Sequence, residues 1–458
     1  GDWAEDFGAN AVLRGKPRSG DPAYPRAVTN DFVRFVFDLD AKYWRTMGEC
    51  LKKSLGVKCI VIGTLVGSST PYFQDDGFLD AADEHLYWSH PDAISSNPCS
   101  WLCVQTAEVN FPEDGIYKAT QRIAGMPFTM TETSEPFPSL FGAEHLPMMH
   151  AYGAFQGWAG VFAYTWNHTS ASLPNHHEYF FSHAGRPDTQ AHFPACAAIT
   201  LGKAVAPAKE RITVPAPESE YVERVVDKRR IILLANEALP KGADCWNECL
   251  RHGIAVDLTA AAPRPKVEPQ PADKRWRSDT GELLWDVSVA SNGFVTLDTK
   301  DVKFFTGFVH GRKFDFGGAR LEIGKTRFDF ATVTMFSKDR TGFGADGKPA
   351  RLLVAATGIA KNSGQVYEVV EGLKGAWHDP DGIWTASHQG KWGRGPALVE
   401  GVPATLTLKA KSSAVKCWAL DGHGRRTTEV PVVSTADGNA QLALDARYRT
   451  LWYEVKVN

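Results

Sequence analysis

Pro127-Phe128-Thr129-Met130-Thr131-Glu132 reads as a short strand that closes on a carboxylate. Three other stretches read the same way: Val57-Lys58-Cys59-Ile60-Val61-Ile62-Gly63, Leu79 to Tyr87, and Gly160 to Trp166. Helical patterns separate several of them. Asn30 can cap a helix in which Phe32, Phe35, Leu39, Tyr43, Met47 and Leu51 recur at three- and four-residue steps, and Gly56 stops it. A second helical pattern runs from His145 to Trp158. Strand alternating with helix predicts a parallel α/β sheet. Only four strands are convincing, however, whereas a closed parallel barrel needs about eight and roughly 250 residues. Half of such a barrel is missing from this reading.

Outward from that region the texture changes near residue 206. Val205-Ala206-Pro207-Ala208, Val214-Pro215-Ala216-Pro217, and Ala262-Pro263-Arg264-Pro265 through Pro269-Gln270-Pro271 are poor in regular structure, so residues 206–280 read as a Pro-rich connecting segment after an α/β part spanning 1–205. From Gly281 to the last residue, short β-branched and aromatic runs alternate with Gly, Asp and Asn. Examples are Gly293 to Leu297, Arg351 to Ala355, Ala404 to Leu408 and Thr450 to Val455. Evenly spaced short strands predict a β-sandwich over 281–458.

Composition narrows the partners. The 458 residues are 43% apolar and 22% charged with a formal net charge of −3, so nucleic acid, an acidic polymer and an anionic membrane are not expected, since each rewards a basic excess. Fourteen Trp suit a protein that handles sugars, because flat indole faces stack on the C–H faces of pyranose rings, although core packing claims many of them. The eight Cys lack the dense spacing of a disulfide scaffold and form no CxxC pair; Cys99/Cys103 and Cys245/Cys249 read as buried thiols. No apolar run reaches the roughly 18 residues of a membrane span, and Gly1-Asp2-Trp3-Ala4-Glu5-Asp6 has neither the basic head nor the apolar body of a signal peptide.

Glu132 ends a predicted parallel strand, which is where the active-site face of a parallel barrel lies. Two other strand ends are equally rich in polar and aromatic groups. One is Asp83-Glu84-His85-Leu86-Tyr87-Trp88-Ser89-His90-Pro91, and the other is Gln156 through Tyr164, Trp166, Asn167 and His168. Core positions rarely take His, Glu and Asn without a local reason, so three such ends together predict a site.

Residues 30 to 205 resemble the carboxyl-terminal portion of clan A glycoside hydrolases, the (β/α)₈ retaining enzymes. The likeness is one of pattern: Glu132 stands where that clan's nucleophilic glutamate ends strand seven, His85 and Tyr87 match a His-x-Tyr arrangement on strand six, and Trp166 matches a sugar-binding Trp ending strand eight. The resemblance implies α/β plus all-β architecture, a partial (β/α)₈ barrel of about strands five to eight followed by a β-sandwich. It implies a β-linked oligo- or polysaccharide as substrate and no cofactor or metal.

A retaining enzyme needs two carboxyl groups about 5 to 5.5 Å apart, one attacking the anomeric carbon while the other protonates the departing oxygen and later activates water. Glu132 would attack, and a hydrogen bond from Tyr87 would keep it ionised and aimed. Trp88 and Trp166 would be sugar platforms, with His85, His90, Asn167 and His168 as contacts to hydroxyls. The clan's acid/base glutamate, which follows Asn at the end of strand four, has no counterpart before Asn30. Asn236-Glu237 follows an apolar run and makes Glu237 a weak candidate, though it lies beyond the eighth strand; Glu135 and Glu144 would help shape the site. A bare half-barrel exposes an apolar face and two sheet edges, so a homodimer or a second chain completing the barrel is expected.

Two rival readings stand beside this one. Most of the fourteen His lie between 85 and 192, including His176-His177-Glu178 and His183, which suits a metal-dependent enzyme, although no HExxH spacing is present. A carbohydrate-binding or assembly protein that has lost catalysis fits the absent acid/base. GxSxG, P-loop and GxGxxG motifs are all lacking.

Overall fold

The helix read from its three- and four-residue steps runs from Arg26 to Glu49, followed by a wider turn over Cys50–Ser54, and Gly56 with φ +63° ends it. Pro25 precedes its first residue, so Asn30 lies inside the helix, where its side-chain amide donates to Glu223 at 2.5 Å instead of capping. The apolar stripe behaves differently from expectation. Phe35, Leu39 and Tyr43 are 60, 55 and 53% exposed, while the helix buries Phe37 and turns Trp44 and Leu51 onto Val61 and Leu79. Two apolar faces compete on this helix, and only one has a neighbour among the described residues.

The computed structural model describes residues 25–63, 65, 79–93, 100–168, 175–215, 222–223, 226, 245–257, 270–309, 311–366, 368–369, 383–388 and 392–458. Together these form a mixed helix-and-sheet fold with a large and mostly antiparallel β content. Near the amino end, Ala82–Tyr87, Phe128–Ser134 and Gly160–Ala163 make a parallel sheet in that order, and a single parallel bridge from Ile62 to Ala81 extends its line. The run Val57 to Gly63 therefore contributes one bridge, with the Val61 amide held by the Asp80 carboxylate at 2.7 Å. The helix His145–Gln156 links the second and third strands, and Gly157 closes it in the left-handed conformation, φ +70°, that a side chain would strain.

The Pro-rich connecting segment is folded wherever it is described. Arg211–Pro215 and Gly253–Asp257 pair in parallel, Val256 bridges Ile123, and Val214, Leu250 and Ile254 join the core that holds Tyr152 and Phe155. Gln156 fastens it: its amide donates to the carbonyls of Cys249 and His252 at 2.6 and 2.7 Å, and its oxygen accepts from the Ile254 amide at 2.9 Å. These strands escaped the sequence reading because each is a five-residue run flanked by Pro, Gly or polar residues.

The carboxyl-terminal part consists of antiparallel sheets. A nine-stranded sheet begins at Arg275–Arg277 and is completed by Trp452–Val457, which lies inside it between Val415–Leu420 and Ala350–Thr357. A five-stranded sheet shares a core with it, where Phe305, Val333, Leu352 and Val455 meet Leu321, Leu406 and Leu442. On the opposite face, Phe304, Trp285 and Phe330 pack into the core of the α/β part, which is why Val302–Phe308 and Phe330–Ser337 are buried almost throughout. Trp285 donates from its indole N–H to the Val109 carbonyl at 2.8 Å, and its ring stands 5.7 Å from Tyr152. His192 reaches Thr334 and Thr357 at 3.0 and 2.8 Å. The two halves expected from the sequence are thus joined by one continuous core.

Candidate functional site

Thr131 stands outside the pairing on both sides of its strand, and Glu132 outside it on the side of Gly160–Ala163. Toward Ala82–Tyr87 the register steps from Glu84↔Met130 to His85↔Glu132, and toward Gly160–Ala163 it steps from Met130↔Val161 to Thr133↔Ala163. A bulge of this kind re-aims the side chains it carries. Asp83 holds it in place: its carboxylate accepts from the Thr129 hydroxyl at 2.8 Å, from the Thr131 amide at 3.1 Å and from the Thr131 hydroxyl. The backbone N–H released by the bulge is satisfied by that carboxylate, and Glu132 projects near the carboxyl end of the strand.

The Glu132 side chain is 30% exposed and takes two contacts through one oxygen, Oε2. The Tyr87 hydroxyl donates to it, and His85 Nδ1 lies 3.1 Å away, with Nε2 of the same ring 3.2 Å from the Thr131 hydroxyl. Burial pushes the Tyr87 phenol up, and its hydrogen bond and proximity to the Glu132 carboxylate push it further, so it remains a donor at neutral pH. Around Tyr87 stand Phe181 at 5.0 Å, His90 at 5.4 Å and Tyr164 at 6.2 Å between ring centres, and His168 adds a ring 5.8 Å from Tyr164 and 5.6 Å from Tyr179. The result is a carboxylate set in an aromatic collar.

Strand alternation separates the remaining candidates. His85 and Tyr87 face Glu132, whereas Leu86 and Trp88 face the core. The Trp88 indole donates to the Thr106 carbonyl at 2.8 Å and packs 5.4 Å from Phe111, so it is a core side chain and not an open platform. Trp166 is 49% exposed. Its segment is held by Phe181, His183 and Ala184: Thr165 donates to the Phe181 carbonyl, and the Thr165 and Trp166 carbonyls accept from His183 and Ala184. Asn167 is half-buried beside it. Glu237 lies outside the described residues.

The other acids are spoken for elsewhere. Glu84 is fully buried and paired with Lys118 at 2.7 Å. Glu108, Glu135 and Glu144 lie buried together: Glu144 accepts from the amides of Glu108 and Val109, His145 bridges Glu108 at 2.7 Å and the Thr133 hydroxyl at 2.6 Å, and Ser139 donates to Glu135. Burial pushes the carboxyls of Glu135 and Glu144 well up, and their acidic neighbours add to it. No hydrogen bond or ion pair among the described residues joins this group to Glu132. Arg186, also buried, ties it to the next segment by donating to the Glu135 carbonyl at 2.7 Å and to Asp188 at 2.9 Å.

No group of three or more His, Cys, Asp or Glu among the described residues is arranged to hold a metal ion. His177 and His183, central to the metal reading, are core histidines that burial brings down to about 3, which keeps their rings neutral. Sequence reasoning missed Asp83 and Thr131, which set the bulge, and the collar residues Tyr164, Tyr179 and Phe181. Asp83 and Tyr164 lie in stretches already singled out, but Tyr179 and Phe181 sit in a segment without periodicity. Comparison with known families, with curated proteins and with solved structures finds no match for this chain.

Proposed function

We propose that the chain is part of a retaining glycosidase acting on β-linked glycans, with Glu132 as the nucleophile. The observation that carries this reading is the Glu132 carboxylate itself: raised on a bulge, partly open to solvent, hydrogen-bonded by Tyr87 and ringed by aromatic side chains. In this reading one Glu132 oxygen attacks the anomeric carbon as the bond to the departing oxygen breaks, and a water molecule later releases the sugar from the ester. Tyr87 and His85 both engage Oε2, which leaves Oε1 for attack.

The three parallel strands and the Ile62 bridge are then strands five to eight of a (β/α)₈ barrel. The open apolar face of the helix Arg26–Glu49 and the unpaired outer edge of Gly160–Ala163 among the described residues support a partner, either a second copy or another polypeptide, that supplies the remaining strands and the acid/base. Light scattering at micromolar concentration should give a mass above that of one chain; a monomer would remove this part of the proposal.

The reading is tested by incubating the protein with 2-deoxy-2-fluoro aryl β-glycosides, whose activated leaving groups need little protonation and whose fluorine slows release of the glycosyl-enzyme. The expected result is one added sugar, mapped by peptide mass to Glu132. Labelling at another carboxylate, or none with any sugar of the panel, would sink the assignment. If glycans still bind in the latter case, the non-catalytic binding protein replaces it. Tyr87→Phe removes a hydrogen bond to a charged group, worth about 1.5–3 kcal/mol, and should lower kcat/KM on aryl glycosides roughly ten- to a hundredfold while thermal unfolding moves little.

A further inference from the structure

Trp166 does not face open solvent alone. It lines a cleft of about 350 Å³ whose opposite wall is formed by Ala397, Leu451 and Trp452 of the antiparallel part. Those same three residues line a second cleft, of about 550 Å³, that continues past Leu398 to Asp421 and Arg449. The shared wall sets the two clefts side by side as one candidate groove, and Trp166 follows Tyr164 of the aromatic collar by two residues. Each alone lies within the roughly 300–1,000 Å³ of small-ligand sites.

The walls are mostly apolar and amide, with the Arg449 guanidinium among the lining of the second cleft. Trp452 donates its indole N–H to the Ala191 carbonyl at 3.0 Å, so the ring is fixed and offers surface, not a donor. Trp166 provides a second indole, Leu398 is an exposed apolar side chain, and Asn175 and Gln190 bring amides to the wall. Asp421 offers no free charge: its carboxylate accepts from the His423 and Arg425 amides at 2.9 Å and from the Arg425 side chain at 2.8 Å. Indole faces with interspersed amides suit pyranose rings, whose C–H faces stack while their hydroxyls seek amide partners.

We infer that this groove binds an extended β-linked glycan, so that the preferred ligand is a polymer or long oligosaccharide and not a disaccharide. The inference rests on the glycosidase reading for its placement of the cleaved bond near Glu132, but its test does not require turnover. Affinities of the whole protein are measured calorimetrically for ladders of one to six residues of β-1,4-glucan, β-1,4-mannan, β-1,4-galactan and β-1,3-glucan. At least one ladder should show affinity rising beyond the disaccharide. For that hexasaccharide, Trp452→Ala should lower affinity about tenfold and erase most of the preference over the disaccharide, as loss of an aromatic anchor does. Because Trp452→Ala could perturb the sheet, Leu398→Arg serves as a second variant that fills the groove from an exposed position; it should give the same loss with an unchanged melting curve. No chain-length preference in any ladder, or a preference untouched by Leu398→Arg, would overturn the inference. Length-dependent binding without any labelling of Glu132 would uphold the groove and remove the glycosidase.

Discussion

Glu132→Ala should leave a folded protein whose kcat/KM on aryl β-glycosides is lower by at least about 10³-fold, equivalent to about 4 kcal/mol of transition-state stabilisation. Among the described residues of the collar the carboxylate alone can form the ester with the anomeric carbon, and neither His85 nor Tyr87 can take its place from their hydrogen-bonded positions. Stability should change little, because the substitution leaves the backbone pairing in place and the side chain is partly exposed. Added formate, small enough to enter the vacated space, should restore part of the rate and deliver the opposite anomer. Turnover that survives the substitution, with retained stereochemistry, would place the nucleophile elsewhere.

Arg186→Leu should lower folding stability by about 3–5 kcal/mol at pH 7, the penalty of leaving one member of a buried pair without its partner. The guanidinium is fully buried and packs so closely on Gly142 that a β-carbon there would stand 2.1 Å from Nη2. Burial on its own would raise the Asp188 carboxyl; the guanidinium beside it outweighs that and holds the group at about 2. In the wild type this depressed carboxyl contributes stability that is complete above its ordinary value near 3.8 and is lost as pH falls toward 2. Without the cation, burial governs and the carboxyl rises above its ordinary range. His177, 3.9 Å away, is held neutral at about 3 by its own burial and supplies no charge. The variant's deficit should therefore shrink between pH 7 and pH 5 in urea unfolding. An equal deficit at both values would mean that Arg186 acts by packing alone.

Local signals survived into the structure wherever one neighbour decides the conformation. Glu132, His85 and Tyr87 could be grouped from sequence because three similar strand ends imply a common face, and their meeting follows from parallel pairing. Trp88 was placed on the wrong face, since a one-residue step decides core or surface and, with Tyr87 on the site face, alternation along the same strand turns Trp88 to the core. The helix stripe of Phe35, Leu39 and Tyr43 was legible as apolar and located the helix, but the neighbours that would cover it are not among the described residues. Val214 and Ile254 were hidden among prolines because their strands are stabilised by distant contacts through Gln156. The groove at Trp452 joins residues from opposite ends of the chain, and no window of sequence contains it.

The position of Trp452–Val457 also bears on synthesis. Ribosomes deliver the nine-stranded sheet in order, yet this strand, the last of them to appear, belongs between Ala350–Thr357 and Val415–Leu420. At about 5–20 residues per second, the nascent chain spends a few seconds with both of those neighbours made and their inner edges bare. Bare edges recruit other strands, so in a crowded polysome the hazard is greatest just before the sheet can close. A premature stop upstream of residue 452 would make that interval permanent.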